Sequence, residues 1–552
     1  MQTITLEFPD KSPRSVPFGT RINEVLEDIT QSDDEVPVVA VRMNNMVCSV
    51  TSRLEVSAKL EPIFLDTRDG SSVYRRSLCF LLSIAARRCF PERRLIIGHS
   101  FGDGYFYHFE GEKTSKEDLQ KLREEMASLI EEKLPIQKRV LSYCEALDYF
   151  RENNQLDTAL LIRQRNEMKV ETYECADFID LFFGPLVPNT SMLTVYELRS
   201  YEDGFLLRYP EVKRPSKIAP FSDIPILFSI YNEYKSWGKI LGLHCVGKLN
   251  EMVQQDEMKH FIQVAEALHD KKIAEMADKI YARKDKVQVV LIAGPSASGK
   301  TTFLKKLTIQ LKVIGLQPIP LSLDNYFLPR EETPLDEDGN YDFESINAID
   351  IPYLNDHLVR LMKNENVEIP RFDFKTGKRK SVGTTLKLPK TGILLIEGIH
   401  GLNDELTPLI PKEKKFKIYV SALTQLNLDD HNRVSTSNNR LIRRMVRDSQ
   451  FRNRSARDNI RMWNSVRKGE EKNIFPFQDS ADAAFNSALD YELAVLKGYT
   501  MPLLETVKPY HEEYSTAAHL MRFLENFTSI PAYLVPTYSI LREFIGQSGF
   551  KY

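Results

Sequence analysis

Polar and apolar residues alternate through QTITLEF (2–8), with Ile4, Leu6 and Phe8 on one side. That period of two predicts a half-buried strand. The turn PDKS follows, then a loop PRSVPFGT, a short helix over TRINEVLEDI (20–29) and a second strand in VPVVAVRMN (36–44). Farther on, SKEDLQKLREEMASLIEEKL (115–134) has helical spacing and opens on Ser115, a side chain suited to cap a helix start. The stretch 220–285 reads almost entirely as helix, packed on its neighbours along one face. From 286 onward strands alternate with helices, as in a parallel α/β sheet. The first of these strands, VQVVLIA (287–293), is apolar at nearly every position, so it predicts a strand buried on both faces.

That buried strand runs into AGPSASGKTT (293–302), and TTFLKKLTIQLKVIG then has helical spacing up to Gly315. Gly294, Gly299, Lys300 and Thr301 fit G-x-x-x-x-G-K-[ST]. Strand, loop and helix are in the order this motif needs. Backbone N–H groups of such a loop turn inward on an anion, the lysine reaches the terminal phosphates, and the threonine hydroxyl can ligate Mg²⁺. The helix N-terminus adds partial positive charge. Residues 294 and 296–302 (Gly294, Ser296, Ala297, Ser298, Gly299, Lys300, Thr301, Thr302) are therefore the candidate nucleotide cradle.

Length and charge narrow the picture. A chain of 552 residues suggests roughly three to four domains. Its formal charge of −3 gives no global pull toward nucleic acid. Six scattered cysteines, none in a C-x-x-C pair, argue against a structural zinc site and fit a reducing cytoplasm. The N-terminus does not read as a signal peptide, and no apolar run is long enough to predict a membrane span.

Phosphoryl transfer needs a metal-side acid, a base for the acceptor, and cations for the moving charge. TGILLIEGIHGL (391–402) reads as a strand ending in Glu397, placed for a metal ion or its water shell. QPIPLSLDNYF (317–327) reads as a strand leading to Asp324, at the crevice end where ligands of such sheets bind. Asp324 is the candidate base. Taken alone, each acid also reads as a strand-end cap. In NRLIRRMVRDSQFRNRSARDNIR (439–461), Arg440, Arg443, Arg444 and Arg447 share a helix face, and Arg452 and Arg454 follow in a turn. The stripe reads as a solvated or RNA-binding helix, or as a mobile lid that excludes water and supplies cationic charge.

Residues 286 to about 510 resemble the uridine kinase/phosphoribulokinase family, through GPSASGKTT, LSLDNYF, NYDFESINAID, IPRFDF, LLIEGIHGL and RLIRRMVRDSQFRNRS. The resemblance implies a P-loop α/β kinase with an Arg-rich lid, ATP as donor, Mg²⁺ as cofactor, and the 5′-hydroxyl of uridine or cytidine as acceptor. Asp324 resembles the general base, Asp342 the acid on the ribose hydroxyls, and Tyr341 a base-stacking aromatic. Arg444, Arg447, Arg452 and Arg454 resemble the lid and phosphate arginines, and Glu397 the acid near Mg²⁺ beside Thr301. Phe372 and Arg379 fall on the substrate side. The family's Y-D-F-x-T-H-x-R departs here to FDFKTGKR, with Phe372 for the tyrosine and Gly377 for the histidine. Both polar contacts to the base are gone.

Residues 1–62 resemble a TGS domain, a ubiquitin-like β-grasp unit. Residues 63–215 resemble the α+β second domain of threonyl-tRNA synthetase, through LDTRDGSSVYRRSLCFLL, GHSFGDGYFYHFEG and DLFFGPLVPNT. That domain's H-x-x-x-H and C-x-x-x-H positions fall on Arg76, Phe80, Phe182 and Leu186, none of which can serve hydrolysis. His99 and His108 read as ordinary core or surface histidines. The expected organisation is thus 1–62, 63–215, a helical connector 216–285, and a kinase domain 286–552 ending in packing helices over AAHLMRFLENF and PTYSILREFIG. RNA or protein contact by the N-terminal half and a homo-oligomer both stay open. So do two other functions: a kinase of another nucleoside or sugar-like alcohol, and a tRNA- or ribosome-associated nucleotide-binding switch.

Overall fold

The computed structural model describes residues 2–9, 12–26, 36–102, 104–335, 339, 341–373, 376–380 and 383–552. The alternating N-terminal segment is the strand Thr3–Glu7, with Ile4 and Leu6 buried. It pairs antiparallel with Pro13–Pro17 and parallel with Ala58–Phe64. Part of the segment expected as a loop, 13–17, is therefore a strand. Two prolines there are tolerated because the strand lies at the edge of its five-stranded sheet. The expected helix 20–29 appears as Asn23–Leu26, and 27–29 lie outside the described residues.

One face of this small sheet leans on the long helix Arg68–Cys89, which shares a core with Val39, Ile63 and Leu65. A second helix, Lys116–Glu131, starts as read: Ser115 accepts from Asp118 N and the Asp118 carboxylate accepts from Ser115 N. The antiparallel strands Leu95–Phe101, Gly104–Phe109, Glu197–Tyr201 and Gly204–Arg208 form one sheet beside them.

The helical stretch resolves into Pro225–Ile240, Val246–Gln254 and Met258–Tyr281. The first lies between the two halves: Phe228 and Tyr231 pack with Phe101 and Phe106 on one side and Ala293 and Tyr419 on the other. The last runs along the nucleotide-loop helix, where Lys306 donates to Asp270 (2.8 Å) and Tyr491 to Glu266 (2.5 Å).

The C-terminal half is a five-stranded parallel sheet in the order Gln317–Ser322, Gly392–Glu397, Val289–Ala293, Lys415–Ser421, Ala483–Asn486. The central strand Val289–Ala293 is buried at every position, which explains its unbroken apolar run. Burying each of its larger side chains contributes roughly 1.5–3 kcal/mol. Because the strands are parallel, their C-terminal ends open on one edge of the sheet, and the phosphate loop, Asp324 and Glu397 all follow there.

Apolar packing runs across the segments read from sequence, and a polar joint adds direction. Asp430 is fully buried and pairs with Arg94, while its Oδ2 accepts from Asp157 N (3.1 Å) and Thr158 N (3.3 Å). The neighbouring His431 Nδ1 lies 2.7 Å from Asp180 Oδ2. Among the described residues, no helix is long and apolar enough to cross a membrane.

Candidate active site

The loop after the central strand holds its shape through positions only certain residues can occupy. A Cβ on Gly294 would sit 2.0 Å from Val420 O. Gly299 has φ +80° at the helix entry, and Ala297 also adopts positive φ (58°). The helix Lys300–Val313 begins at once, so its first amides face the loop. Lys300 Nζ folds back to donate to Gly294 O (2.9 Å) and Pro295 O (3.0 Å). Burial pushes the Lys300 ammonium below its ordinary value, and the Glu397 carboxylate opposes that shift.

The arginine stripe is the helix Thr436–Phe451. Arg440 and Arg443 are core residues, 1% and 0% exposed. Arg440 pairs with Glu470 and donates from Nε to Ser296 O (2.9 Å). Arg443 pairs with Glu492 and donates to Ala297 O (3.3 Å) and Ser487 O (2.7 Å). Arg444 Nη1 donates to Ser296 Oγ (2.7 Å), and Glu470 accepts from Ser296 N (3.0 Å). Ser487 Oγ donates to Ser298 O (2.5 Å). The loop is thus gripped from behind by two buried ion pairs. The stripe's first two arginines anchor the loop rather than sweep over it. Buried Asp448 collects the others: Arg447 at 2.8 Å, Arg452 at 3.6 Å and Arg444 at 3.7 Å. Arg454 turns toward Met462 Sδ (3.6 Å).

Three acids face Lys300. Glu397 Oε1 accepts from Thr301 Oγ1 (3.2 Å), and its Oε2 is buried with no protein partner. An orphaned carboxylate oxygen beside a threonine hydroxyl fits a hard divalent cation. Burial pushes the Glu397 carboxyl up to about 7, with Lys300 opposing. Asp324 follows the strand Gln317–Ser322 in a single 3-10 turn, Leu323–Tyr326, capped by Ser322 Oγ on Asp324 N (3.3 Å). Its side chain opens to solvent in the cleft, yet crowding raises its carboxyl above the usual range against Lys300 and Arg452. The third acid, Glu344, went unread in the sequence. Burial, then Glu470, pushes it up to about 7, while Arg444 and Lys300 pull it down. The close approach of the helix Ala456–Asn473 places it: a Cβ on Gly469 would lie 2.7 Å from Glu344 Cβ.

On the acceptor side a line of rings runs from Tyr341 to Phe343 (6.0 Å), Phe327 (6.5 Å) and Phe372 (5.8 Å). Tyr341 and Phe343 are exposed, whereas Phe372 is 9% exposed. Asp342 Oδ1 accepts from Glu344 N (3.1 Å). Gly377 occupies a turn with φ +69°, where a side chain would press on Arg330. A histidine at that position is strained, so the departure from the family pattern is built into the backbone. Arg379 pairs with Asp350 (2.9 Å) and lies over the Tyr353 ring, with its Nε unpartnered. Lys378 pairs with Glu331 (3.5 Å).

In the N-terminal half, three of the four synthetase-like positions are packed together: Phe80, Phe182 and Leu186 are buried in one core, and Phe80 meets Phe182 edge-on at 5.4 Å. The fourth, Arg76, donates to Pro185 O (2.7 Å). His99 is buried against Thr436 Oγ1 (3.1 Å), and His108 stacks on Phe106 beside Lys235.

Comparisons with known proteins find likeness to two families. Residues 289–494 match the phosphoribulokinase/uridine kinase family. A stretch of 197 residues is 30% identical to threonine–tRNA ligase of Carboxydothermus hydrogenoformans, covering 35% of this chain and 31% of the relative. The enzyme of the same name from Desulforamulus reducens is 33% identical over 199 residues, with 36% and 31% covered. The chain therefore spans under a third of the length of these relatives. A solved structure from Bacillus stearothermophilus, described as a possible uridine kinase, is 19% identical, covers 38% of this chain and all of its own, and has a TM-score of 0.24, too low to carry an argument. The likeness to the phosphoribulokinase/uridine kinase family thus covers residues 289–494, and the N-terminal half resembles threonyl-tRNA synthetase.

The buried pairs carry a stability prediction. Arg443→Met leaves Glu492 buried without its partner, which should cost about 3–5 kcal/mol. Arg443→Met with Glu492→Leu should recover most of that loss. Chemical denaturation of the three proteins measures both steps. A loss under about 1 kcal/mol in the single variant would mean the pair does not hold this region together.

Proposed function

We propose that this chain is a nucleoside kinase that transfers the γ-phosphate of ATP to the 5′-hydroxyl of uridine or cytidine. The observation that carries the reading is Asp324. It follows the strand Gln317–Ser322 at the C-terminal edge of the parallel sheet, in the field of Lys300 and Arg452, and Phe327 of the ring line comes three residues later in the chain. A protein that only switches on nucleotide hydrolysis has no need of an aromatic wall next to its base.

The chain's own groups divide the work. Asp324 takes the proton of the acceptor hydroxyl as its oxygen attacks phosphorus. Lys300 leaves the carbonyls of Gly294 and Pro295 for the terminal phosphates. Arg444, Arg447 and Arg452 supply positive charge where negative charge spreads in the transition state. Asp342 accepts from ribose hydroxyls, and Tyr341 and Phe372 bracket the base. Thr301 and Glu397 would hold Mg²⁺, which would neutralise charge on the donor phosphates. Arg454 and the amides of 294–302 complete the donor side.

The base edge is the weak point of recognition. Phe372 and Gly377 offer no side-chain hydrogen bond, and Lys378 is paired with Glu331. That same observation favours a second reading, a kinase of another sugar-like alcohol. A role in RNA or protein binding for the N-terminal half belongs to the proposal as well, on the strength of its synthetase likeness; the four positions there supply no hydrolytic group.

Three outcomes are expected. Asp324→Asn should lower kcat by about 10²–10⁴-fold while ATP binding persists, as steady-state kinetics and calorimetry will show; near-normal turnover would rule out a base at 324. In competition between mixed nucleosides, uridine and cytidine should react within about tenfold of each other, with 2′-deoxy analogues poorer. Activity on neither pyrimidine would promote the other-alcohol reading. The third outcome concerns pH. Burial pushes the Glu397 carboxyl up from its ordinary 4.5 to about 7, and Mg²⁺ takes only the ionised form. Protons therefore compete below pH 7, and apparent Mg²⁺ affinity should fall about tenfold per pH unit there and level off above it. Glu397→Gln should bind Mg²⁺ more weakly with a flatter profile; an unchanged profile would place the metal elsewhere.

A further inference from the structure

The last residues of the chain read as a packing helix, but only Arg542–Ile545 is helical. The segment before it is turn, and Val535, Ile540, Leu541, Phe544 and Ile545 are buried in the core that also holds the nucleotide-loop helix. This segment seats a carboxylate on the loop itself. Glu543 Oε2 accepts from Thr302 N at 3.1 Å and from Thr302 Oγ1 at 2.6 Å. Tyr552 OH lies 2.7 Å from the same hydroxyl, and Lys305 Nζ donates to Lys551 O (2.7 Å). Ile540 approaches so closely that a Cβ on Gly299 would meet its Cγ2 at 2.6 Å.

Thr302 is the third residue of the helix Lys300–Val313, so its N–H has no acceptor within the helix. In a loop of this kind the amides at the helix start cradle the α- and β-phosphates of a nucleotide. The Glu543 carboxylate is an anion of the same sign on one of those donors. It stands where a phosphate oxygen would stand. Two anions cannot share one N–H, and the second would also meet the charge of the first.

We propose that Glu543 is a determinant of donor recognition: its carboxylate holds the α-phosphate subsite at Thr302, and a nucleotide binds by displacing it. This rests on the reading of the loop as a nucleotide site. The C-terminal segment then sets how tightly any nucleoside di- or triphosphate is held. Its ties to Lys305, Gly299 and the core make the displacement a local swing of the Glu543 side chain, while the segment stays docked.

The test is calorimetric titration of the full chain with ADP and with MgATP, comparing wild type with Glu543→Gln. The glutamine keeps size and polarity and removes the charge, so both nucleotides should bind about tenfold more tightly or better. Unchanged or weaker binding by a variant with a normal thermal transition would overturn the proposal. If Glu543→Gln does not fold, Glu543→Asp decides: the shorter acid withdraws from Thr302, so tighter binding supports the displacement and unchanged binding overturns it. Equal, measurable binding by wild type and variant sinks this inference alone. Failure of both to bind either nucleotide sinks it together with the kinase reading.

Discussion

Two buried arginine–carboxylate pairs hold the structure's chemistry in place. Arg440 with Glu470 and Arg443 with Glu492 lie at or below 2% exposure, and each arginine also donates to a carbonyl of the phosphate loop. A loop rich in small residues has little side-chain packing of its own. Here its carbonyls are tied down from behind by Arg440 and Arg443. Desolvating four charges is costly, and such pairs are retained where they fix a geometry that apolar packing could not specify. From that fixed loop follow the direction of Lys300, the contact of Thr301 with Glu397, and the helix start on which Thr302 sits. Arg444 extends the same hold to Ser296 Oγ.

Local chemistry made much of this legible before any coordinates. The unbroken apolar run 287–293, the glycines of the loop and the acids at two strand ends are each decided by neighbours in sequence. The parallel sheet follows from strands alternating with helices, whereas its strand order is seen only in the structure. What the sequence does not carry is the direction in which a helix face points. The spacing of Arg440, Arg443, Arg444 and Arg447 shows that they share a face. It cannot show that Glu470 and Glu492, from later helices, turn half of that face into the core. Glu344 and Glu543 were hidden for a related reason: each reaches the loop across a long separation in the chain. The terminal segment misled more simply. PTYSILREFIG has helical spacing, yet Pro536 and the turn at Ser539 leave only four residues helical. Gly377 looked like a lost histidine, and its positive φ shows a turn that favours glycine.

The N-terminal half is joined to the five-stranded parallel sheet, not strung beside it. Asp430 reaches Arg94 and the start of the helix Leu156–Arg163, and the helix Pro225–Ile240 fills the gap between the sheets. Thr436, at the first turn of the arginine helix, touches His99 of the N-terminal half. Phe80, Phe182 and Leu186 of this half are packed into one core.

The central claim is that the terminal phosphate of ATP goes to an organic hydroxyl held in the cleft rather than to water. It is tested most directly by following a label on that phosphate through a single turnover of the full chain, with and without uridine. The account predicts that with uridine the label enters a nucleoside monophosphate, and that without it the label stays on ATP. Release as free phosphate at the same rate in both cases would contradict it.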